Sequence, residues 1–251
     1  MVVMASIKEV LRERGDLSTF VVHLTRGDDP RGNLESILTN AVVEARSCFG
    51  PKPSRDLAEK HPGTPLEASQ RAACFTETPL RFVRLMCEDI ENRTMNFAPY
   101  GVAFTRTFAR SKGVNPVWYV DRHYRSDDPQ PWRIVPVWDM INSAVATNLP
   151  PEKLAELPIF KLTPFIETMG RPKGGTRKEF WWEREWRKVG DLGFLPSKAV
   201  VVLAPADEHD ALRAAVQHIP GYKSVRLIDV NWTADQIEVA IGGLDNEPFP
   251  P

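Results

Sequence analysis

Cysteine is scarce in this chain of 251 residues, which has only Cys48, Cys74 and Cys87. An odd number of cysteines without a CxxC pair predicts reduced thiols in a cytoplasmic protein, rather than a disulfide framework or a zinc site. Apolar runs are also short, and one of the longest, at 199–204, is far below the roughly 20 residues that span a bilayer. The sequence therefore predicts a protein without a membrane segment, and its charged first residues are not typical of a signal peptide.

Net charge is almost absent, because 32 basic and 33 acidic residues leave a formal charge of -1. This balance excludes a global field that would capture nucleic acid or an anionic membrane, and it leaves local basic patches open. The basic stretch at 171–178 is such a patch, either a solvated loop or a contact for a phosphate-bearing partner. The chain also lacks GxGxxG, Walker, HExxH and GxSxG motifs, and we expect no metal site.

The spacing of apolar residues predicts an α+β protein in which short strands and amphipathic helices follow one another. The predicted strands lie at 20–25, 72–76, 100–105, 116–120, 199–204 and 224–230. The predicted helices lie at 6–14, from Asn33 as N-cap, at 79–93, 108–112, 137–147 and 207–218, and from Thr233.

Two other segments are harder to assign from the pattern. Proline, glycine and charge at 47–70 predict an exposed loop, and 158–165 resembles a short strand. The composition of 245–251 predicts a disordered tail. We expect one domain over residues 1–251, with a core at about 18–204 and a C-terminal β-α-β-α extension at about 199–243.

The run at 180–187, FWWEREWR, is the most unusual local feature. In an extended strand, alternate residues face the same side, so Glu183 and Glu185 would share one face with Trp181. Two carboxylates in a groove beside tryptophans suit general acid-base chemistry and the stacking of a planar ring. The alternative is a solvated strand face with Glu-Arg pairs, because charge runs usually lie at the surface.

Three further positions carry polar groups at the ends of predicted strands. His23 lies in an apolar strand, where a hydrogen-bonded core histidine is the alternative to a functional one, and Thr25 shares its face. The stretch Thr76 to Thr78 follows a strand and can position a ligand or cap a turn. Tyr100 begins a strand and can stack on a ligand or belong to the core.

Four segments, in this order, resemble the AbiGi family of abortive phage resistance proteins. They are FVVHLTRGDDPRGNLESIL at 20–38, CFTETPL at 74–80, YGVAFTRTFARSKGVNPVWY at 100–119 and EREWRKV at 183–189. The resemblance covers roughly residues 18–204, and the last two segments are the most specific. The first segment also resembles the start of DarT-type proteins, which attach ADP-ribose to DNA.

The DarT-type resemblance implies an ADP-ribosyltransferase-like core of two small mixed sheets with flanking helices and an NAD cleft. NAD would be a substrate, and no metal is implied. By resemblance, His23 with Thr25 would hold the nicotinamide ribose. Thr76, or Tyr100, would support the ring.

By the same resemblance, Glu185 would be the catalytic carboxylate of the late strand. It would bond the ribose 2′-hydroxyl and stabilise the positive charge that develops as the glycosidic bond breaks. Glu183 would activate the acceptor, and His23 would complete the catalytic set. The acceptor would be a nucleic acid or a protein.

The resemblances leave two functions open for a phage-defence or toxin-antitoxin protein. One is an NAD-dependent ADP-ribosyltransferase. The other is a non-catalytic antitoxin or regulatory protein that holds a cognate toxin partner.

Overall fold

The computed structural model describes residues 14–90, 93, 95–121, 135–171 and 177–244. The predicted helix at 6–14 lies almost wholly outside these residues. The predicted tail at 245–251 and the middle of the basic stretch at 171–178 also lie outside them.

The described chain contains both helices and sheets that mix parallel and antiparallel strands, so the α+β prediction is confirmed. The strands are β1 (Phe20–Leu24), β2 (Val42–Val43), β3 (Ser47–Cys48), β4 (Arg71–Thr76), β5 (Gly101–Thr105), β6 (Asn115–Pro116), β7 (Trp118–Asp121), β8 (Ile166–Met169), β9 (Glu185–Val189), β10 (Leu192–Gly193), β11 (Val201–Leu203) and β12 (Arg226–Ile228). The helices are α1 (Pro30–Asn40), α2 (Lys52–Glu59), α3 (Pro65–Gln70), α4 (Arg106–Ser111), α5 (Val135–Val145), α6 (Pro151–Glu156), α7 (Pro158–Leu162), α8 (His209–Val216) and α9 (Ala234–Ile241).

The chain forms two compact units, and the first contains residues 1–42, 75–112 and 193–251. Its strands run in the order β12, β11, β5 and β1, followed by the last two residues of β4. β1 and β5 are antiparallel, from the pair Phe20 and Thr105 to the pair Leu24 and Gly101. β11 and β12 are parallel. Apolar side chains cover this sheet, and Phe104 contacts the Phe194 ring at a centroid distance of 4.9 Å.

The second unit contains residues 43–74 and 113–192. Here β4 pairs with β3, and β9 pairs antiparallel with β6 through Asn115 and Arg187. β7 and β8 form a separate parallel pair. The helices of this unit enclose an apolar cluster that includes Ala58, Leu66 and Phe160. Burial of each large apolar side chain there stabilises the unit by about 1.5–3 kcal/mol.

Two assignments from the sequence were wrong because proline can begin a helix. The segment 47–70 is not an exposed loop, since it contains β3, α2 and α3, and α3 begins with Pro65 at its first position. The segment 158–165 is not a strand, since Pro158 begins α7 and a 3-10 turn follows at Thr163–Phe165. The ring fixes φ near the helical value and removes an N–H that the first helical turn does not need.

Two predicted helix boundaries were also wrong. The N-cap of α1 is Asp29 rather than Asn33, because the Asp29 Oδ1 accepts a hydrogen bond from the Gly32 N–H at 2.8 Å. The helix predicted at 79–93 is a 3-10 helix at Leu80–Cys87. Thr233 does cap α9, where its side chain and Gln236 form a capping box.

Candidate functional site

The run at 180–187 is not one extended strand. Trp181–Glu183 form a 3-10 turn, and Arg184 follows in the left-handed region with a φ of 48°. β9 begins only at Glu185. The predicted alternation of faces from Trp181 to Trp186 was therefore wrong, since alternate residues share a face only along continuous extended backbone. The alternation does hold along β9 itself, and there it pairs Glu185 with Arg187.

Arg187 is the centre of the contacts around Glu185, and its side chain is 1% exposed. Its Nε and Nη2 donate hydrogen bonds to the two oxygens of Glu185 at 2.8 and 2.6 Å. Nη2 also reaches a carboxylate oxygen of Glu167 at 2.8 Å, and Nη1 donates to the Pro164 carbonyl at 2.8 Å. The guanidinium lies 4.4 Å from the centroid of the Phe49 ring. A buried cation is tolerated here because each of these groups compensates part of its lost hydration.

The surroundings of Arg187 favour its charged form. Burial alone would lower the pKa of Arg187, but the neighbouring Glu185 carboxylate raises it above its ordinary value. The Tyr119 hydroxyl accepts a hydrogen bond from the Glu185 backbone N–H at 3.0 Å. Burial, and then the charge of Glu185, raises the pKa of Tyr119 above its ordinary value. We refer to Glu185, Arg187, Glu167 and Tyr119 as the Arg187 cluster.

The other predicted catalytic carboxylate, Glu183, is the last residue of the 3-10 turn and is half-buried. Its backbone N–H donates to the Phe180 carbonyl at 3.0 Å. Glu183 and Glu185 both belong to the second unit, whereas His23, Thr25, Thr76 and Tyr100 belong to the first unit.

The predicted ligand-binding residues of the first unit are largely engaged by protein groups. His23 lies in β1 opposite Val102, half-buried, with its ring edge-on to Phe75 at 5.8 Å between centroids. Thr25 is 3% exposed, and its hydroxyl donates to the Pro30 carbonyl at 2.8 Å. These contacts tie the end of β1 to the start of α1.

The stretch from Thr76 to Thr78 forms a buried turn. The Thr76 hydroxyl donates to the Thr78 hydroxyl at 2.8 Å and accepts from the Thr78 N–H at 3.0 Å. Between them, Glu77 is 6% exposed and accepts a hydrogen bond from Arg106 at 2.7 Å. Of the two interpretations of this stretch, the capped turn accounts for these hydrogen bonds.

The Tyr100 side chain is held by the turn that precedes α8, and it is not open for stacking on a ligand. Its hydroxyl donates to the Glu208 carboxylate at 2.7 Å, and Glu208 also lies 3.3 Å from an Arg31 nitrogen. Burial, and then the hydrogen bond to Glu208, raises the pKa of Tyr100 to about 12.

We expect Tyr100 to titrate about two pH units above a free tyrosine, whose pKa is about 10. Because the folded pKa is the higher one, the contribution of this hydroxyl to stability is complete below about pH 10 and is lost as the pH rises through 12. Tyrosinate absorbance of the wild type minus that of Tyr100→Phe measures this titration. A difference curve with a midpoint near pH 10 would contradict the expected environment.

The sequence indicated Glu-Arg pairs in this run only as a solvated alternative, and it did not single out Arg187 as a buried partner of Glu185. Glu and Arg two residues apart on a strand share a face, and the run at 180–187 ends in Glu-Trp-Arg. The distant partners Glu167, Pro164 and Phe49 carried no sequence signal, because only folding brings them to the guanidinium.

Comparison with protein families decides the broader assignment. The family model described as "Putative abortive phage resistance protein AbiGi, antitoxin" matches residues 35–204, about two thirds of the chain. The chain belongs to the AbiGi family. The matched part of this AbiGi protein includes the segments at 74–80, 100–119 and 183–189. Its family assignment places it in phage defence by abortive infection.

No curated protein and no solved structure matches this AbiGi protein significantly. The DarT-type resemblance and the ADP-ribosyltransferase-like core therefore stay predictions. In the part of the chain that the structure describes, no helix is long and apolar enough to cross a membrane. Among the same residues, no group of three or more His, Cys, Asp or Glu side chains is placed to hold a metal ion.

Proposed function

We propose that this chain is the non-catalytic, antitoxin member of an abortive-infection toxin-antitoxin pair, and that it acts by binding a cognate toxin protein. The family description supplies the antitoxin role. The observation that carries the non-catalytic part is the pairing of both Glu185 carboxylate oxygens with Arg187.

In a transferase, the Glu185 carboxylate would have to be available to the ligand. A catalytic carboxylate must offer an oxygen to the ribose hydroxyl and to the positive charge that develops on the sugar. Here both oxygens accept hydrogen bonds from a guanidinium that is itself buried. Turning Glu185 towards a ligand would leave that cation with Glu167 as its remaining carboxylate partner, and separating a buried ion pair is strongly unfavourable.

The competing proposal is an NAD-dependent ADP-ribosyltransferase that modifies a nucleic acid or a protein. Its support is the order of residue types along the chain, from His23 and Thr25 through Thr76 to Glu185. In this proposal, binding of NAD would have to release Glu185 from Arg187. The two proposals therefore differ in the expected effect of removing the charge of Glu185.

We expect no ADP-ribose transfer by the wild type and none by Glu185→Gln, because the carboxylate is occupied by Arg187. Cells that express each protein are supplied with labelled NAD, and labelled protein and nucleic acid are measured separately. Glu179→Gln is a control, since Glu179 also pairs with an arginine two residues away, Arg177, but at the surface. Label that appears with the wild type and with Glu179→Gln, but not with folded Glu185→Gln, would establish the transferase instead.

The antitoxin role has its own test. Expression of this chain alone should leave growth unchanged, and its co-expression with the toxin encoded beside it should restore growth that the toxin arrests. Growth arrest by this chain alone would contradict the antitoxin role. Purification of the two proteins as one complex would show that neutralisation is by direct binding.

A further inference from the structure

The 3-10 helix at Leu80–Cys87, in the first unit, carries an apolar face that is partly exposed. A 3-10 helix has three residues per turn, so residues three apart share a face. Phe82 and Leu85 share one face, and they are 42% and 43% exposed. We refer to these two side chains as the 3-10 ridge. The buried face of the same helix consists of Leu80, Val83 and Met86.

Arg81 connects the 3-10 ridge to the start of the described chain. Its guanidinium lies 4.9 Å from the centroid of the Phe82 ring, and its Nη2 donates a hydrogen bond to the Gly15 carbonyl. A carboxylate oxygen of Glu238 in α9 lies 3.5 Å from the same guanidinium and gives it a second partner. The polypeptide that precedes Gly15 therefore begins beside Phe82.

Residues 1–13 lie outside the described residues, but their sequence has an apolar stripe at helical spacing. The apolar positions that share one helical face are Val3, Met4, Ile7, Val10 and Leu11. The charged positions fall on the opposite side and are Lys8, Glu9, Arg12 and Glu13. A helix of this length is marginal by itself in water, so its stability requires a surface that covers the apolar face.

We propose that residues 3–13 form an amphipathic helix that docks on the 3-10 ridge of the same chain. The contact at Gly15 holds this segment next to Phe82, so docking is intramolecular, with an effective concentration on the order of millimolar. A second copy or another protein would have to compete with that concentration. Docking removes the apolar stripe and the ridge from water together, which favours the docked state. This inference does not depend on the proposed antitoxin role.

The spacing of the side chains fits this arrangement. Ile7 and Leu11 are four residues apart, which is about 6 Å along an α-helix. Phe82 and Leu85 are three residues apart, which is also about 6 Å along a 3-10 helix. Because Gly15 lies at the Phe82 end of the ridge, Leu11 would contact Phe82 and Ile7 would contact Leu85. The two helices would therefore run antiparallel.

Amide hydrogen exchange of the full chain, followed by mass spectrometry, tests the docking. We expect the amides of residues 7–13 to exchange at least about tenfold more slowly than those of an unstructured peptide of the same sequence. An undocked helix of this length would give little protection. Exchange at the rate of the unstructured peptide would overturn the proposal. Protection that disappears on dilution would assign the contact to a second copy, and it would also overturn the proposal.

The double variant Phe82→Gln with Leu85→Gln removes the apolar ridge from partly exposed positions. We expect the protection of residues 7–13 to fall at least about tenfold, while β1 and β5 keep their protection and show that the unit is folded. Leu195→Gln is the matched control, because Leu195 is an apolar residue of the same unit and is 68% exposed. Retained protection in the ridge variant, or an equal loss in the control, would contradict docking on the ridge.

A cross-link tests the register without removing the ridge. In a Cys87→Ser background, Ile7→Cys with Leu85→Cys should form an intramolecular disulfide on treatment with diamide. The pair Glu9→Cys with Leu85→Cys should react at least about tenfold more slowly, because position 9 lies on the opposite face of the helix and its Cβ cannot approach. Equal rates for the two pairs, or disulfide-linked dimers in place of the intramolecular bond, would overturn the proposal.

Discussion

Replacement of Arg187 by methionine should lower the free energy of unfolding by about 3–5 kcal/mol, the cost of breaking a buried ion pair on one side. Methionine fills similar space and keeps apolar contact with Phe49. It removes the shared guanidinium from Glu185 and Glu167, with Lys178 still 3.9 Å from Glu167, and it leaves the Pro164 carbonyl without this donor. Since a domain is stable by about 5–15 kcal/mol, this loss is a large fraction of the total.

The measurement is urea unfolding followed by tryptophan fluorescence, with the shift in midpoint compared between variants. Arg187→Lys should fall between the wild type and Arg187→Met, because an ammonium group cannot make the two-pronged contact with Glu185. We therefore expect the wild type to be the most stable protein, Arg187→Lys to be less stable, and Arg187→Met to be the least stable.

Arg14 provides the matched control for this prediction. Its Nε and Nη2 donate to the two oxygens of Asp16, each at 2.6 Å, with the same two-residue spacing as in the pair of Arg187 and Glu185. The Arg14 side chain is 57% exposed, however, so water replaces its contacts when it is removed. Arg14→Met should leave the urea midpoint almost unchanged, because exposed ion pairs add little to stability. Equal losses for Arg14→Met and Arg187→Met would show that burial does not determine the effect.

Gly50→Ala should destabilise the second unit by about 2–5 kcal/mol, the sum of two separate costs. The backbone at Gly50 has a φ of 109°, which side chains of L-residues rarely adopt. An added Cβ would also lie 2.5 Å from the Thr163 carbonyl oxygen, well inside contact distance. Backbone of the neighbouring segment would have to move, since the obstructing atom cannot rotate away.

That movement would disturb a buried polar network. Thr163 is fully buried, and its hydroxyl donates to the Gln70 side-chain oxygen at 2.6 Å. The Gln70 amide in turn donates to the Phe160 carbonyl at 2.7 Å. Buried polar groups that lose their partners are costly, so the network resists the shift that alanine would require.

The variant Gly63→Ala separates the cost of backbone strain from the cost of the steric contact. Gly63 also has a positive φ, 75°, but an added Cβ would meet no atom within 4 Å. Only the backbone strain remains, about 1–2 kcal/mol. Thermal unfolding of both variants, followed by circular dichroism, checks the difference. A loss at Gly63 as large as that at Gly50 would argue against the contact with Thr163.

The strands of the first unit could be predicted because their signals are local. β1 and β5 are short apolar, β-branched runs bounded by glycine and proline, and these signals hold without knowledge of their neighbours. The prediction for the segment 47–70 failed because its structure depends on distant contacts. Its prolines suggested a loop, whereas Leu66 and Ala58 are buried in an apolar cluster with helices from residues 135–162. Only that distant packing turns a proline-rich stretch into two helices.

The sequence by itself determined the α+β class, most of the strands, and membership of the AbiGi family, because residue types and their order carry that information. It also placed Glu185 in a strand, with an arginine two residues away. Only the tertiary structure decided what that carboxylate contacts. Arg187 is buried because Phe49 and the segment of Pro164 and Glu167, from two other places in the chain, meet around it. Such long-range contacts depend on how the elements pack, and no local pattern specifies them.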